Sequence, residues 1–245
     1  MPTPGPDSPA RDLPPGGPVD TVARDPKAST AFLLTVLVGA AVVLAGTIGA
    51  GEVYEEVVES NGITPIDQIV LDWVVAQRKP ALNAVAAGLA YVGGTVGWTL
   101  VTITIGLVFA RVLRSWLPVL LFAVATAGSV AMTVVGKDLL GRTRPPEGLA
   151  LPPFEHSPSF PSGHTLNTTV VVFVAAYLVT LCTTSQAARI GALGAALAFA
   201  GAMGLSRVYL GAHWLTDVAA GWLLAVAWTG LVVLAHRTYL HLQRS

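Results

Sequence analysis

The sequence predicts an all-α, polytopic membrane protein with six transmembrane helices and a short interfacial helix between spans one and two. Three observations predict it. Of 245 residues, 53% are hydrophobic and 11% charged, where an average soluble domain carries about 25% charged residues. Mean hydropathy is +0.65. The apolar residues gather in runs long enough to cross a hydrocarbon core of about 30 Å.

Residues 1–29 are dense in proline, glycine and charge and lack apolar periodicity, which predicts a disordered cytoplasmic tail. From Thr30 the text becomes TAFLLTVLVGAAVVLAGTIGAG, about 20 uncharged residues, too long for a signal-peptide core and right for a retained first span. Residues 64–79 differ. Thr64 suits an N-cap, Pro65 the first helical position and Asp67 the first turn. Ile66, Ile69, Val70, Trp73 and Val74 recur at helical spacing among polar residues, the pattern of a helix lying at the interface.

Residues 81–110 form one apolar stretch interrupted by Gly93, Gly94 and Gly97. A hairpin inside lipid would strand backbone groups, so one long, kinked span is expected. Spans three to six follow at Trp116–Gly136, Thr165–Cys182, Ile190–Leu205 and Trp214–Ala235. Gly191, Gly194, Gly201 and Gly204 predict close helix packing on span five. The six-span domain covers 30–237, and 238–245 is a short C-terminal tail. The lone Cys182 forms no intrachain disulfide.

Basic residues set the orientation. Arg11, Arg24, Lys27, Arg111, Arg114, Arg189, Arg237 and Arg244 fall on one side of this topology, which places both termini in the cytoplasm. Arg78, Lys79, Lys137, Arg142, Arg144 and Arg207 fall on the other and break the rule, which makes them functional candidates at the extracytoplasmic face. Formal net charge is 0, and nothing points to a nucleic-acid partner.

Three segments must share that face: GKDLLGRTRPP at the end of span three, PSGH at the start of span four, and GLSRVYLGAHWLTD leading into span six. They bring Lys137, Arg144 and Arg207 together with His164, His213 and Asp217. Cations gathered beside a low-dielectric medium call for an anionic ligand, and phosphate suits both an arginine fork and a lysine point charge. Ser162 and Gly163 at a helix start offer N–H donors and close approach. His213 and Asp217 are four residues apart and share a helix face, so the carboxylate can orient the imidazole. Two histidines, a carboxylate and a cationic cradle are the parts for phosphoryl transfer through a phosphohistidine. Spacing alone leaves open which histidine attacks, though the Asp217 pairing favours His213.

Lys137 through Arg144-Pro145, then Pro161-Ser162-Gly163-His164, then Ser206-Arg207 followed by His213 and Asp217, resembles the three-part signature of the type-2 phosphatidic acid phosphatase superfamily, which includes soluble vanadium haloperoxidases. The resemblance covers roughly residues 30–237, with every signature position matched. It implies six spans and a metal-independent phosphohydrolase that needs no cofactor and acts on lipid phosphates or pyrophosphates of the phosphatidic acid or undecaprenyl pyrophosphate type. By position, His213 would be the nucleophile, Asp217 its assistant and His164 the acid. Lys137, Arg144, Ser162, Gly163 and Arg207 would bind phosphate.

Plainer readings cover the rest. Arg142 reads equally as a phosphate helper or a solvated loop charge. Glu147, Glu155 and His156 read as loop polarity, and Trp98, Trp116, Trp214, Trp222 and Trp228 as belt or packing aromatics. His164 and His213 lack the further ligands a closed zinc site needs, so no metal site is expected. A vanadate-dependent peroxidase and a non-catalytic lipid-phosphate binder or transporter are the competing function classes. Six spans count against the first, and an intact histidine pair against the second.

Overall fold

The structure, a computed structural model, describes residues 26–243; of the expected tail over residues 1–29, residues 1–25 lie outside them and residues 26–29 begin the first helix instead. Helices α1 (Pro26–Glu59), α2 (Pro65–Ala76), α3 (Pro80–Gly93), α4 (Thr95–Leu113), α5 (Leu117–Leu140), α6 (Gly163–Cys182), α7 (Gln186–Tyr209) and α8 (Leu215–Leu242) follow one another, with a single 3-10 turn at Glu147–Leu149. Regular structure among the described residues is all helical. Six of these helices, α1 and α4 to α8, are long and apolar enough to cross a membrane.

The local sequence explains the boundaries. Thr64 caps α2 through its hydroxyl, which accepts from Asp67 N, while Asp67 answers the Thr64 backbone N–H, and Pro65 fills the first position. Ser162 and Ser185 cap α6 and α7. Gly141 ends α5 in the left-handed conformation, φ 57°.

The expected single span over residues 81–110 is two helices. Gly94 is extended, with φ −66° and ψ 162°, and separates α3 from α4. The break does not strand backbone groups. Ala86 and Ala90 of α3 pack with Leu210 and Ala212. Gly94 donates to Tyr91 O and accepts from Trp98 N, so the bend satisfies its own backbone. The second span is therefore α4 alone, and α3 becomes a short helix beside the membrane end of α7.

α6 is the most enclosed span, packed by α4, α5, α7 and α8 around Leu166, Val170, Val171, Val174 and Leu178. α1 lies along α8. Of the four glycines expected to bring helices together, only Gly204 does so: a Cβ there would fall 2.4 Å from the Trp222 ring. Gly191, Gly194 and Gly201 meet nothing within 4 Å. Close packing depends instead on Gly128, where a Cβ would lie 2.1 Å from the Trp228 ring, and on Gly46 against the Leu223 carbonyl. Trp228 and Trp222 each donate their indole N–H to a backbone carbonyl, Ala125 O and Ala200 O. That is the packing role expected of them.

Candidate active site

The end of α5, the loop over residues 141–162, the start of α6 and the α7–α8 turn converge at one end of the bundle. The turn brings His213 and Asp217 together in an unexpected way. His213 precedes α8 rather than lying on it. Gly211 turns the chain with φ 67°, and a Cβ there would press on Leu149 O at 2.8 Å. The N–H groups of Ala212 and His213 both donate to Arg207 O. Asp217 then sits in the first turn of α8 and accepts from Trp214 N at 2.9 Å. The pair meets through this capping turn, not through a shared helix face, with His213 Nδ1 3.3 Å from Asp217 Oδ2.

Both ring nitrogens of His213 are engaged. Arg144 Nη1 lies 3.2 Å from Nε2 and Glu155 Oε2 3.6 Å from it, so a donor and an acceptor both face that nitrogen. Nδ1 faces Asp217 Oδ2 at 3.3 Å, with Ser159 Oγ 3.4 Å away. Asp217 is held from four sides: by His213, by Trp214 N, by the Ser159 hydroxyl and by Arg142 Nη1. His213 thus turns Nε2 toward Glu155 and Arg144, with Nδ1 held on the Asp217 side.

His164, at the second residue of α6, donates from Nε2 to Ala90 O at 3.1 Å. That leaves Nδ1 facing the same space as His213 Nε2. Gly93 is required beside it, because a Cβ would stand 2.6 Å from Met203 and 3.0 Å from the His164 ring. The bend that divides α3 from α4 therefore also seats this histidine.

Glu155 is the residue that loop polarity undervalued. Its carboxylate lies in the centre of the cluster. Oε1 accepts from Arg207 Nη2 and is 3.2 Å from His164 Nδ1. Oε2 is 2.8 Å from Arg144 Nη2 and 3.6 Å from His213 Nε2. Burial alone would push this carboxyl up. The hydrogen bond and charge of His213, with the charges of Arg207 and His164, outweigh burial and hold it well below the usual range. An anion bound by two guanidiniums and two imidazoles marks where the cluster takes negative charge.

The expected cradle residues divide by how they are engaged. Arg207 is fully buried, and its Nε and Nη1 have no partner. Arg144 also donates to Ser157 O and Ala212 O. Lys137, on the last turn of α5, donates to Ser157 Oγ at 3.1 Å and to Pro158 O. Ser162 spends its N–H on Asp217 O and its hydroxyl on capping α6. Gly163 is the first residue of α6, where backbone donors lack helical partners, and a Cβ there would crowd Thr133 at 2.9 Å.

Arg142 is neither a solvated charge nor in the cradle. It is fully buried, forked between Asp67 of α2 and Asp217 of α8. Ser159, which donates to Asp217, had no sequence signal at all. Around Glu155 the structure is open on two sides. A mouth of about 820 Å³ lies under the loop, beside Arg142, Arg144, Ser157 and Ala212. A cavity of about 500 Å³ runs the other way, past Lys137, His164, Gly93 and Trp98. It shares Thr99, Thr102 and Thr126 with an apolar groove of about 280 Å³ between α4 and α5. Among the described residues, no three His, Cys, Asp or Glu side chains are grouped to hold a metal ion.

Residues 118–240 match the PAP2 superfamily. Phosphatidylglycerophosphatase B of Bacillus subtilis (strain 168) is 31% identical over 173 residues, which covers 69% of this chain and 82% of the relative. A crystal structure described as the first transmembrane PAP2 type phosphatidylglycerolphosphate phosphatase from Bacillus subtilis superposes with a TM-score of 0.69 at 27% identity, covering 82% of this chain and 96% of that one. Aquifex aeolicus LpxE shares the fold, with a TM-score of 0.56 at 18% identity over 69% of this chain and 96% of the other.

Proposed function

The chain belongs to the PAP2 superfamily and is a multi-pass membrane lipid phosphatase, a phosphoric monoester hydrolase; from that premise we propose that it cleaves a lipid phosphomonoester or pyrophosphate through a phosphohistidine on His213, at the extracytoplasmic face and without a metal. One observation carries the chemistry. Arg144, Arg207, His164 and His213 converge on a single anion, the Glu155 carboxylate. A substrate phosphate replaces that carboxylate.

The phosphorus then faces His213 Nε2. The lone pair of neutral His213 attacks, the bond from phosphorus to the lipid oxygen breaks, and His164, entering the step as imidazolium with its Nε2 proton held by Ala90 O, gives that oxygen its Nδ1 proton. Water attacks the phosphohistidine and releases inorganic phosphate, and the histidines return to their starting forms. Asp217 orients the imidazole and offsets the positive charge His213 acquires. Arg144, Arg207 and Lys137, with the backbone N–H of Gly163 at the start of α6, stabilise the equatorial oxygens, while Ser162 holds the helix start in place through its bonds to Asp217 O and Thr165.

The groove between α4 and α5 supports a lipid substrate, because it leads apolar surface directly to the cradle. The basic residues at the opposite end support an extracytoplasmic site. The relatives' names put phosphatidylglycerol phosphate first among substrates, with phosphatidic acid, diacylglycerol pyrophosphate and undecaprenyl pyrophosphate as the other arms. The purified protein in detergent is expected to release phosphate from at least one of the four, to retain activity in EDTA, and to be inhibited by vanadate. Absence of release from all four, or activity that EDTA abolishes and a divalent metal restores, overturns the reading.

Glu155 supplies a second test. If it holds the phosphate site in the resting enzyme, its population there reduces the apparent affinity of any competing anion. Glu155→Gln is expected to tighten vanadate inhibition about tenfold. Weaker vanadate binding together with lost turnover would make Glu155 a partner of His164 in the reaction instead of a place-holder.

A further inference from the structure

α2 touches the catalytic pair through charge. Asp67 is 1% exposed. Its Oδ2 pairs with Arg142 Nη2 at 2.6 Å, and its Oδ1 accepts from Thr216 N at 2.9 Å. The Thr216 hydroxyl lies within 3.0 Å of both Asp67 oxygens and receives Arg142 Nη1 at 2.7 Å. Arg142 Nε donates to Gly62 O at 2.7 Å, and its Nη1 also reaches Asp217. Asp67, Arg142, Thr216 and Asp217 are all buried, and the network binds the turn before α2 and its first turn to the first turn of α8.

We propose that Asp67 is a positioning residue for the catalytic pair: through Arg142 it fixes Asp217, and by neutralising Arg142 it leaves the Asp217 charge to His213.

A helix cap does not require this arrangement. Thr64 and Asp67 already close the start of α2 between themselves, yet Asp67 takes four further contacts from Arg142 and Thr216. The charge count gives the reason. One guanidinium stands between two carboxylates. With Asp217 alone, Arg142 would form a neutral pair, and the imidazole would face a quenched partner. With Asp67 added, the group keeps one net negative charge on the His213 side. Coupling between charges buried this deeply is screened little by salt.

His213 also faces Arg144 and Glu155 from the loop and the Ser159 hydroxyl, and Arg207 and His164 stand beyond Glu155. All of these stay in place when Asp67 is changed. Loss of one negative charge therefore disfavours protonated His213, and its titration moves down.

The proposal rests on His213 being the nucleophile, so its test reads the imidazole directly as well as turnover. The full-length protein in detergent, labelled with 15N-histidine, is titrated by NMR, with the His213 resonance assigned from His213→Ala. Asp67→Asn, which keeps the amide oxygen for Thr216, is expected to lower the His213 midpoint by about one pH unit, the scale of one charge acting at roughly 10 Å. kcat should fall about tenfold while KM stays within about threefold, because substrate contacts are untouched. The acid limb of the pH–rate profile should move the same way. Asp67→Glu, which restores the charge, should return the midpoint to the wild-type value.

Should Asp67→Asn fail to fold, Arg142→Gln reads the same proposal with the opposite sign, an upward shift. An unmoved midpoint in whichever of these variants folds, or shifts of the same sign in both, overturns the proposal and leaves Asp67 as scaffold. The phosphatase reading fails separately. An inactive wild type, or an active His213→Ala, speaks against the nucleophile and leaves the NMR titration to decide on Asp67.

Discussion

His213→Ala is expected to lose roughly ten-thousand-fold or more in kcat, the scale seen when a nucleophile is removed from an enzyme of this kind. No neighbour replaces its Nε2. His164 is the only other imidazole at the anion site, and its Nε2 is committed to Ala90 O. Asp217 is fully enclosed by donors. The loss should lie in kcat, since Arg144, Arg207 and Lys137 still bind phosphate, and vanadate should still protect the protein against thermal unfolding. Phosphate release and melting in the same detergent check both halves. Folded His213→Ala protein with wild-type turnover would end the phosphohistidine mechanism. Enzyme given 32P-labelled substrate and quenched in alkaline denaturant should hold base-stable, acid-labile label in the wild type and none in the variant.

The convergence of Lys137, Arg144, His164, Arg207, His213 and Asp217 was legible in the sequence because they stand at fixed distances within short segments. Lys137 to Arg144, Ser162 to His164 and Arg207 to Asp217 each span a single turn or helix end, and six apolar runs leave those segments one face to share. What escaped is what folding adds between segments. Glu155 lies in a proline-rich loop without periodicity, and nothing in its neighbours reveals that its carboxylate meets Arg207, 52 residues away. Asp67 was legible as a first-turn acid and is one. Its partnership with Arg142 and Thr216 depends on where α2 docks. The bend at Gly94 was missed for a related reason. A break in lipid strands backbone groups only if they lack local partners, and here Gly94 donates to Tyr91 O and accepts from Trp98 N. The four-residue spacing of His213 and Asp217 predicted the contact correctly through the wrong geometry. A capping turn and a helix face can both bring such residues together.

Arg207 carries the second large effect, because stability and activity should part there. Its side chain is fully buried, yet Nε and Nη1 have no partner and only Nη2 is held, by a carboxylate on a loop. A buried guanidinium so incompletely satisfied is costly to the resting fold, and replacing a buried charge by an apolar residue of similar volume is often neutral or stabilising. On the proposed phosphate role, the unpaired N–H groups would gain partners when phosphate arrives, most of all as charge spreads over its equatorial oxygens. Their benefit therefore falls on the transition state. Arg207→Met is expected to lose about a hundred- to a thousand-fold in kcat/KM, with a melting temperature equal to or above wild type and little protection by vanadate. Phosphate-release kinetics and thermal scans with and without vanadate measure all three. A variant that melts well below wild type would make Arg207 a structural cation of the α7 end. One that stays stable but keeps its activity would remove it from the phosphate cradle. Arg207→Lys sharpens the distinction: it keeps the charge but loses the fork, so it should recover only part of the activity, as a bidentate site requires.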